Sequence, residues 1–329
     1  MNADPLDPTT LQALLLVTAL AAMALYNRYQ TRRAEREHPP SGQFITVDGV
    51  RLHYLDQGQG SPVVLLHGNV VGAEDYVLSG VLERAARTHR VLAFDRPGYG
   101  YSDRPLGTLW TATRQAELLQ RALLQLGVER PVVVGHSWGT LVALKMALNH
   151  PDSVAGLVLL GGYYAATARL DVLAAAPPAI PLIGGALRHT LAPLLNGPLL
   201  ALNVRVMFAP LPVPERFKRQ FPQQFPLRPL QIRAESQDAV TLIPAVMKMR
   251  ERYRELRLPV MIMAGTGDLV VQHERHARWL HEQLPGSHLQ LIPEAGHMLH
   301  YAAPGQVAAA IERVAAEAPA RPGEERPPA

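Results

Sequence analysis

Residues 132–139, Val132-Val133-Val134-Gly135-His136-Ser137-Trp138-Gly139, decide how this chain reads. Three consecutive β-branched residues mark a strand buried on both faces, and the Leu- and Ala-rich run over 140–150 marks a helix. Ser137 therefore stands at a tight strand-to-helix turn, where its hydroxyl projects from the sheet edge and the flanking glycines permit close backbone approach. The N-terminal end of that helix favours developing negative charge at the same place. Working outward, short apolar runs recur at 62–66, 91–94, 154–160, 260–264 and 289–292, with further helical windows at 109–126 and 274–284. A hairpin over 44–47 and 51–55, turned by Asp48-Gly49, opens the folded body. Strand and helix in alternation predict an α/β fold, a mostly parallel twisted sheet with helices on both faces. The rhythm breaks over residues 163–256, which are Pro-rich and amphipathic and read as an inserted helical cap.

A serine hydroxyl is a weak nucleophile at neutral pH and needs a base that is itself oriented by an acid. Asp268 follows the run 260–264 in Gly265-Thr266-Gly267-Asp268, and His297 follows the run 289–292 in Glu294-Ala295-Gly296-His297-Met298. Both fall at the carboxyl edge, where open α/β sheets hold their ligands. His300 is the nearby competitor for the base, whereas His67, His136 and Asp95 are expected to brace turns. Asp238 and Glu235, near the end of the cap, are expected on a solvated helix face, with a spare acid or a substrate contact as the alternative.

The order Ser137, Asp268, His297 resembles the α/β-hydrolase superfamily over nearly the whole body, from Phe44 to about Ala316. Supporting marks are His67-Gly68 after the third strand, Asp95-Arg96-Pro97-Gly98-Tyr99-Gly100-Tyr101-Ser102 after the fourth, and the placement of the cap. The resemblance implies an α/β-hydrolase fold with a triad of Ser137, Asp268 and His297. It also implies an oxyanion hole built from the backbone N–H groups of Trp138 and Asn69, each donor being worth about 3 kcal/mol in kcat. Asn69 and Trp138 are similar to the halide-binding pair of haloalkane dehalogenases, but those enzymes and epoxide hydrolases use an elbow Asp, so Ser137 argues against both chemistries. The implied activity is hydrolysis of a carboxylic ester or related acyl compound through an acyl-enzyme. Hydrolysis of carbon–carbon bonds, cofactor-free perhydrolysis and a low-turnover ligand-binding module remain as alternatives. Tyr163, Tyr164 and Phe208 are candidates for an apolar substrate pocket under the cap, suited to a lipophilic substrate.

Composition narrows the rest. The 329 residues are 48% hydrophobic and 18% charged with no Cys, which excludes a disordered chain, a disulfide scaffold and thiolate catalysis. A net charge of +4 without long basic runs gives no nucleic-acid surface. Neither HExxH, CxxC nor a strand-borne GxGxxG occurs, so no metal and no cofactor is expected. Residues 11–27 form an apolar stretch read as a single transmembrane anchor after a short segment 1–10. Arg28, Arg32, Arg33 and Arg36 follow the stretch, and Asp4 and Asp7 precede it, so the catalytic domain is expected on the cytoplasmic side; a cleaved secretory signal is the alternative. The expected layout continues with a linker at 28–43, core halves at 44–162 and 257–317 around the cap, and a disordered tail at 318–329. Oligomeric state stays open.

Overall fold

The computed structural model describes residues 7–167, 176–180 and 183–319. The expected segment 1–10 and tail 318–329 therefore lie partly outside the described residues. The strands are β1 (Gln43–Val47), β2 (Val50–Gln57), β3 (Ser61–Leu66), β4 (His89–Phe94), β5 (Val132–His136), β6 (Gly156–Leu160), β7 (Val260–Gly265) and β8 (His288–Ile292). They form one eight-stranded sheet in the order β1-β2-β4-β3-β5-β6-β7-β8. The β1–β2 hairpin is antiparallel and β2 pairs antiparallel with β4; every other pairing is parallel.

The central strands read as unbroken apolar runs because both faces are covered. Val64, Leu66, Val133, Leu157 and Leu159 pack with the helices Ala112–Gln125 and Gly139–Asn149 on one face. Their alternates Val63, Leu65, Val132, Val134, Val158 and Leu160 pack with Val81–Ala85 and Pro304–Glu317 on the other. A period of two with no solvated face is the arithmetic of a two-sided parallel sheet. Each such buried Val or Leu contributes roughly 1.5–3 kcal/mol.

After β3 the chain turns to β4 on one side, whereas β5 pairs with β3 on the other. The loops leaving β3 and β5 thus diverge and open a crevice at the carboxyl edge. Between β6 and β7 the described chain is helical, chiefly Ile183–His189, Leu191–Phe208, Glu215–Gln220 and Pro229–Arg250. This cap is seated by Met207, Phe208, Phe217 and Phe221, which pack on Val71, Leu78 and Met298 of the core. The window 274–284 is helical but begins as a π-turn, Glu274–Arg278, before Trp279–Gln283.

The N-terminus departs from the expected layout. One helix runs from Pro8 to Glu37, so most of the stretch read as a linker at 28–43 is helical. Its second half is docked: the Asn27 amide donates to the carbonyls of His189 and Thr190 at 2.9 and 2.7 Å, and Glu35 pairs with Arg228 at 3.1 Å. Pro39, Pro40, Ser41 and Gly42 suggested a linker, but they lie just beyond the end of the helix, which runs to Glu37 and docks on the cap.

Candidate active site

Steric limits build the elbow. Ser137 has φ of 51°, a left-handed conformation that its surroundings must hold, and its own N–H donates to the Leu160 carbonyl of β6 at 2.8 Å. A Cβ on Gly139 would lie 2.3 Å from the Leu66 carbonyl, and one on Gly135 would lie 2.7 Å from the Thr140 backbone. Both glycines of the pentapeptide are therefore demanded by packing of the elbow helix against β3 and against its own turn.

The three residues expected together are together. His297 Nε2 lies 2.8 Å from Ser137 Oγ, and His297 Nδ1 lies 2.8 Å from Asp268 Oδ2. A carboxylate accepts, so Nδ1 carries the proton and the Nε2 lone pair faces the serine hydroxyl, the tautomer a general base requires. The other Asp268 oxygen accepts from the N–H groups of Val270 and Val271 at 2.8 and 2.9 Å, which fixes the carboxylate's orientation. Both Asp268 and His297 are buried, while Ser137 is half-buried and faces a cleft of about 540 Å³.

That cleft is lined by Asn69 and Trp138 beside Ser137 and His297, and by Tyr163, Val206, Met207, Leu242 and Val271, so its walls are mainly apolar. Of the three aromatic candidates, Tyr163 lies on the wall and the other two do not line it. Tyr164 is buried next to His276, whose Nδ1 accepts from its N–H at 3.2 Å. Phe208 stacks edge-on against Phe217 and Tyr301, holding cap to core. The helix turns the neighbouring Met207 toward the cleft instead, a one-residue difference that needs the helix phase to be known.

His300 does not compete for the serine. Its Nε2 pairs with Asp75 Oδ2 at 2.8 Å, and Tyr301 donates to the other Asp75 oxygen at 2.7 Å. His136 donates from Nε2 to the His297 carbonyl at 3.1 Å, and burial, followed by repulsion from His300 and His297, holds its pKa well below the ordinary histidine range. Asp75, His136 and His300 bring potential metal-ligating atoms within 4.8 Å of one another, a buried cluster drawn from the short helix Glu74–Leu78, the end of β5 and the short helix Leu299–Ala302, with no spacing signature. His67 and Asp95 brace turns: His67 Nε2 accepts from the Arg96 N–H at 2.9 Å, and Asp95 accepts from the N–H groups of Ala73 and Tyr101.

Asp238 contradicts the solvated-face expectation. Its side chain is 0% exposed, and it pairs with Arg96 at 2.7 Å and Arg104 at 3.1 Å, both equally buried. Tyr99 and Gln115 also donate to its carboxylate, and the Trp138 indole donates to its carbonyl at 3.0 Å. Arg96 in turn donates to the Gly68 carbonyl at 3.1 Å and Asn69 Oδ1 at 2.8 Å while stacking over Trp138 and Tyr99. A cap residue thus grips the loop that carries Asn69. Glu235, on the same helix, accepts from the Val70 N–H and Gln231, and Gln231 donates to the Val70 carbonyl at 2.8 Å. Val70 is held at φ of 73°, rare for a β-branched residue. Burial raises the Glu235 pKa to about 7, with nearby Asp238 acting in the same direction. Helical periodicity alone did not reveal these residues, since, apart from neighbours on their own helix such as Gln231, their partners lie a hundred or more positions away.

This fold and site define a class. The chain belongs to the alpha/beta hydrolase fold family, whose model matches residues 61–304. It is 35% identical over 128 residues to a 2-hydroxymuconate semialdehyde hydrolase of Pseudomonas putida, a match covering 39% of this chain and 46% of that enzyme. The match thus spans less than half the length of that relative. A 2-hydroxy-6-oxo-2,4-heptadienoate hydrolase of Pseudomonas putida is 26% identical over 262 residues, covering 78% of this chain and 89% of that enzyme. Among solved structures, an esterase from Exiguobacterium antarcticum superimposes with a TM-score of 0.70 at 24% identity, over 84% of this chain and 99% of its own.

Proposed function

We propose that the protein is a serine hydrolase that cleaves a carboxylic ester or related acyl compound, with a lipophilic substrate, through an acyl-enzyme on Ser137. The observation that carries this reading is the continuous hydrogen-bonded chain from Ser137 through His297 to Asp268. Ser137 Oγ attacks the carbonyl as His297 takes its proton; the imidazolium, supported by Asp268, then protonates the leaving group. The backbone N–H groups of Trp138 and Asn69 stabilise the oxyanion. Water, activated by His297, attacks the acyl-enzyme and frees Ser137. No cofactor or metal takes part.

The N-terminal helix serves in this reading as a single membrane anchor, with the catalytic domain on the cytoplasmic side. Its length and apolar composition suffice to cross a bilayer, and its docked second half ties the span to the cap. A secretory signal passes the same test and is the competing assignment.

A second reading is favoured by the two Pseudomonas putida relatives. Those enzymes are named as hydrolases of a semialdehyde and of a dienoate, and hydrolysis of a carbon–carbon bond in a vinylogous diketone would use the same triad. The test is fluorophosphonate labelling of the wild type and Ser137→Ala, followed by turnover of p-nitrophenyl esters from acetate to palmitate and of a vinylogous diketone. Labelling lost in the variant, with ester turnover peaking at one chain length, supports the ester reading. Diketone turnover far above ester turnover transfers the assignment to the second reading, and unlabelled folded wild type refutes both.

A further inference from the structure

The cap helix Leu191–Phe208 carries no Asp, Glu, Lys or Arg between Leu191 and Val204. Leu191, Leu194, Leu195, Leu199 and Leu202 are all exposed, Leu195 at 65%, and their spacing puts them on one face of the helix. Soluble domains rarely leave so continuous an apolar stripe in water. The helix does not leave the domain, because both ends are pinned. Asn27 holds the Thr190 carbonyl at its start, and the Met298 N–H donates to the Met207 carbonyl near its end at 3.1 Å.

The first of those pins fixes its depth. Asn27 is where the bare apolar half of the N-terminal helix gives way to Arg28, Arg32, Arg33 and Arg36, the boundary between acyl chains and headgroups for a helix that spans a membrane. The cap helix therefore begins at that same boundary. Arg28, Arg32 and His189 line a groove at the joint, at the level of anionic headgroups. In its last two turns the helix contributes Asn203, Val206 and Met207 to the cleft over Ser137, whose lining includes Leu269 at 68% exposure.

We infer that the Leu191–Phe208 helix lies in the acyl layer beside the N-terminal anchor, so that the mouth of the Ser137 cleft opens to lipid and substrate enters from the bilayer. This rests on the anchored, lipophilic-substrate reading above. The occupant of the leucine stripe is the acyl chains of the membrane that the anchor crosses. The stripe gives the domain a second, non-spanning contact of the kind amphipathic interfacial helices make.

The chain has no cysteine, so single cysteines report cleanly. The full-length protein is reconstituted into vesicles of equal parts phosphatidylcholine and phosphatidylglycerol, with a fluorophore on Leu16→Cys, Leu195→Cys, Leu202→Cys or, as a control on the core helix Ala112–Gln125, Leu124→Cys. Nitroxide lipids are expected to quench the labels at positions 16, 195 and 202, and aqueous iodide the label at 124. A lipid-quenched label at 16 with iodide-quenched labels at 195 and 202 overturns the inference and leaves the anchor standing. An iodide-quenched label at 16 refutes the anchor reading and the inference with it. As a functional readout, Leu195→Glu with Leu202→Glu lowers the ratio of palmitate-ester to acetate-ester turnover in vesicles by roughly tenfold, following the cost of acidic groups in the acyl layer. An unchanged ratio also overturns the inference.

Discussion

Replacing Asp238 by Asn keeps the side chain's shape and removes its charge. Arg96 and Arg104, both with 0% exposed side chains, then share one neutral amide where they had a carboxylate. Breaking a buried ion pair by losing one partner costs about 3–5 kcal/mol, and with two cations left uncompensated the loss falls near 5 kcal/mol. At roughly 2 °C per kcal/mol for a domain of this size, Tm falls by about 10 °C. A second effect follows from the contacts of Arg96. It holds the Gly68 carbonyl and Asn69 Oδ1, so a loosened guanidinium frees the loop that carries Asn69, the proposed oxyanion donor. The kcat for a p-nitrophenyl ester then drops about 10–100-fold, short of losing a donor outright, with KM changed little. Circular-dichroism melting and steady-state kinetics measure the two. The exposed pair Arg51–Asp103, 3.7 Å apart, is the comparison, and Asp103→Asn changes stability by less than about 1 kcal/mol. A Tm for Asp238→Asn within about 2 °C of wild type, together with unchanged kcat, refutes the claim that a buried ion network couples cap to oxyanion loop.

The remaining predictions concern the base, the elbow, a half-buried acid and the histidine cluster. Asp268→Asn lowers kcat about 10⁴-fold while leaving Tm nearly unchanged, because the amide can neither fix the His297 tautomer nor support its imidazolium; a loss below tenfold in stopped-flow assays would mean that another group orients His297. Gly139→Ala drives a Cβ to 2.3 Å from the Leu66 carbonyl, so soluble yield and Tm fall together; a variant that melts like wild type removes the steric account of the elbow. Glu235 binds its proton more tightly folded, with a pKa of about 7, than unfolded, at 4.5, so its contribution is fully present below the unfolded value and is lost as pH rises through the folded one. Glu235→Gln, a mimic of the protonated acid, should therefore flatten the fall in Tm between pH 4.5 and about 7 and be relatively more stable at pH 8; parallel pH profiles in thermal melts count against it. Chelation by EDTA leaves turnover and Tm unchanged, since His300 and Tyr301 already engage the Asp75 oxygens; a loss restored by zinc would make the Asp75–His136–His300 cluster a metal centre.

The sequence by itself determined what depends on local pattern and chain order. Unbroken β-branched runs announced strands covered on both faces, glycines flanking Ser137 announced an elbow where no Cβ fits, and the positions of Asp268 and His297 after later strands announced their carboxyl-edge loops. Parallel strands carry all such loops to one edge, and the resemblance in the order Ser137, Asp268, His297 is what singled out these three side chains as partners. Tertiary structure alone decided what depends on partners distant in the chain. Asp238 looked like one face of an exposed helix until Arg96 and Arg104 were brought against it; Phe208 was a pocket candidate until the phase of the cap helix put Met207 on the cleft wall and Phe208 against Phe217 and Tyr301. The residues before Pro39 and Pro40 read as part of a linker until Asn27 and Glu35 were seen gripping the cap from one continuous helix. A period of 3.6 or 2 fixes which residues share a face, but it carries no information about what that face meets, because the partner's position is set by the packing of the whole chain.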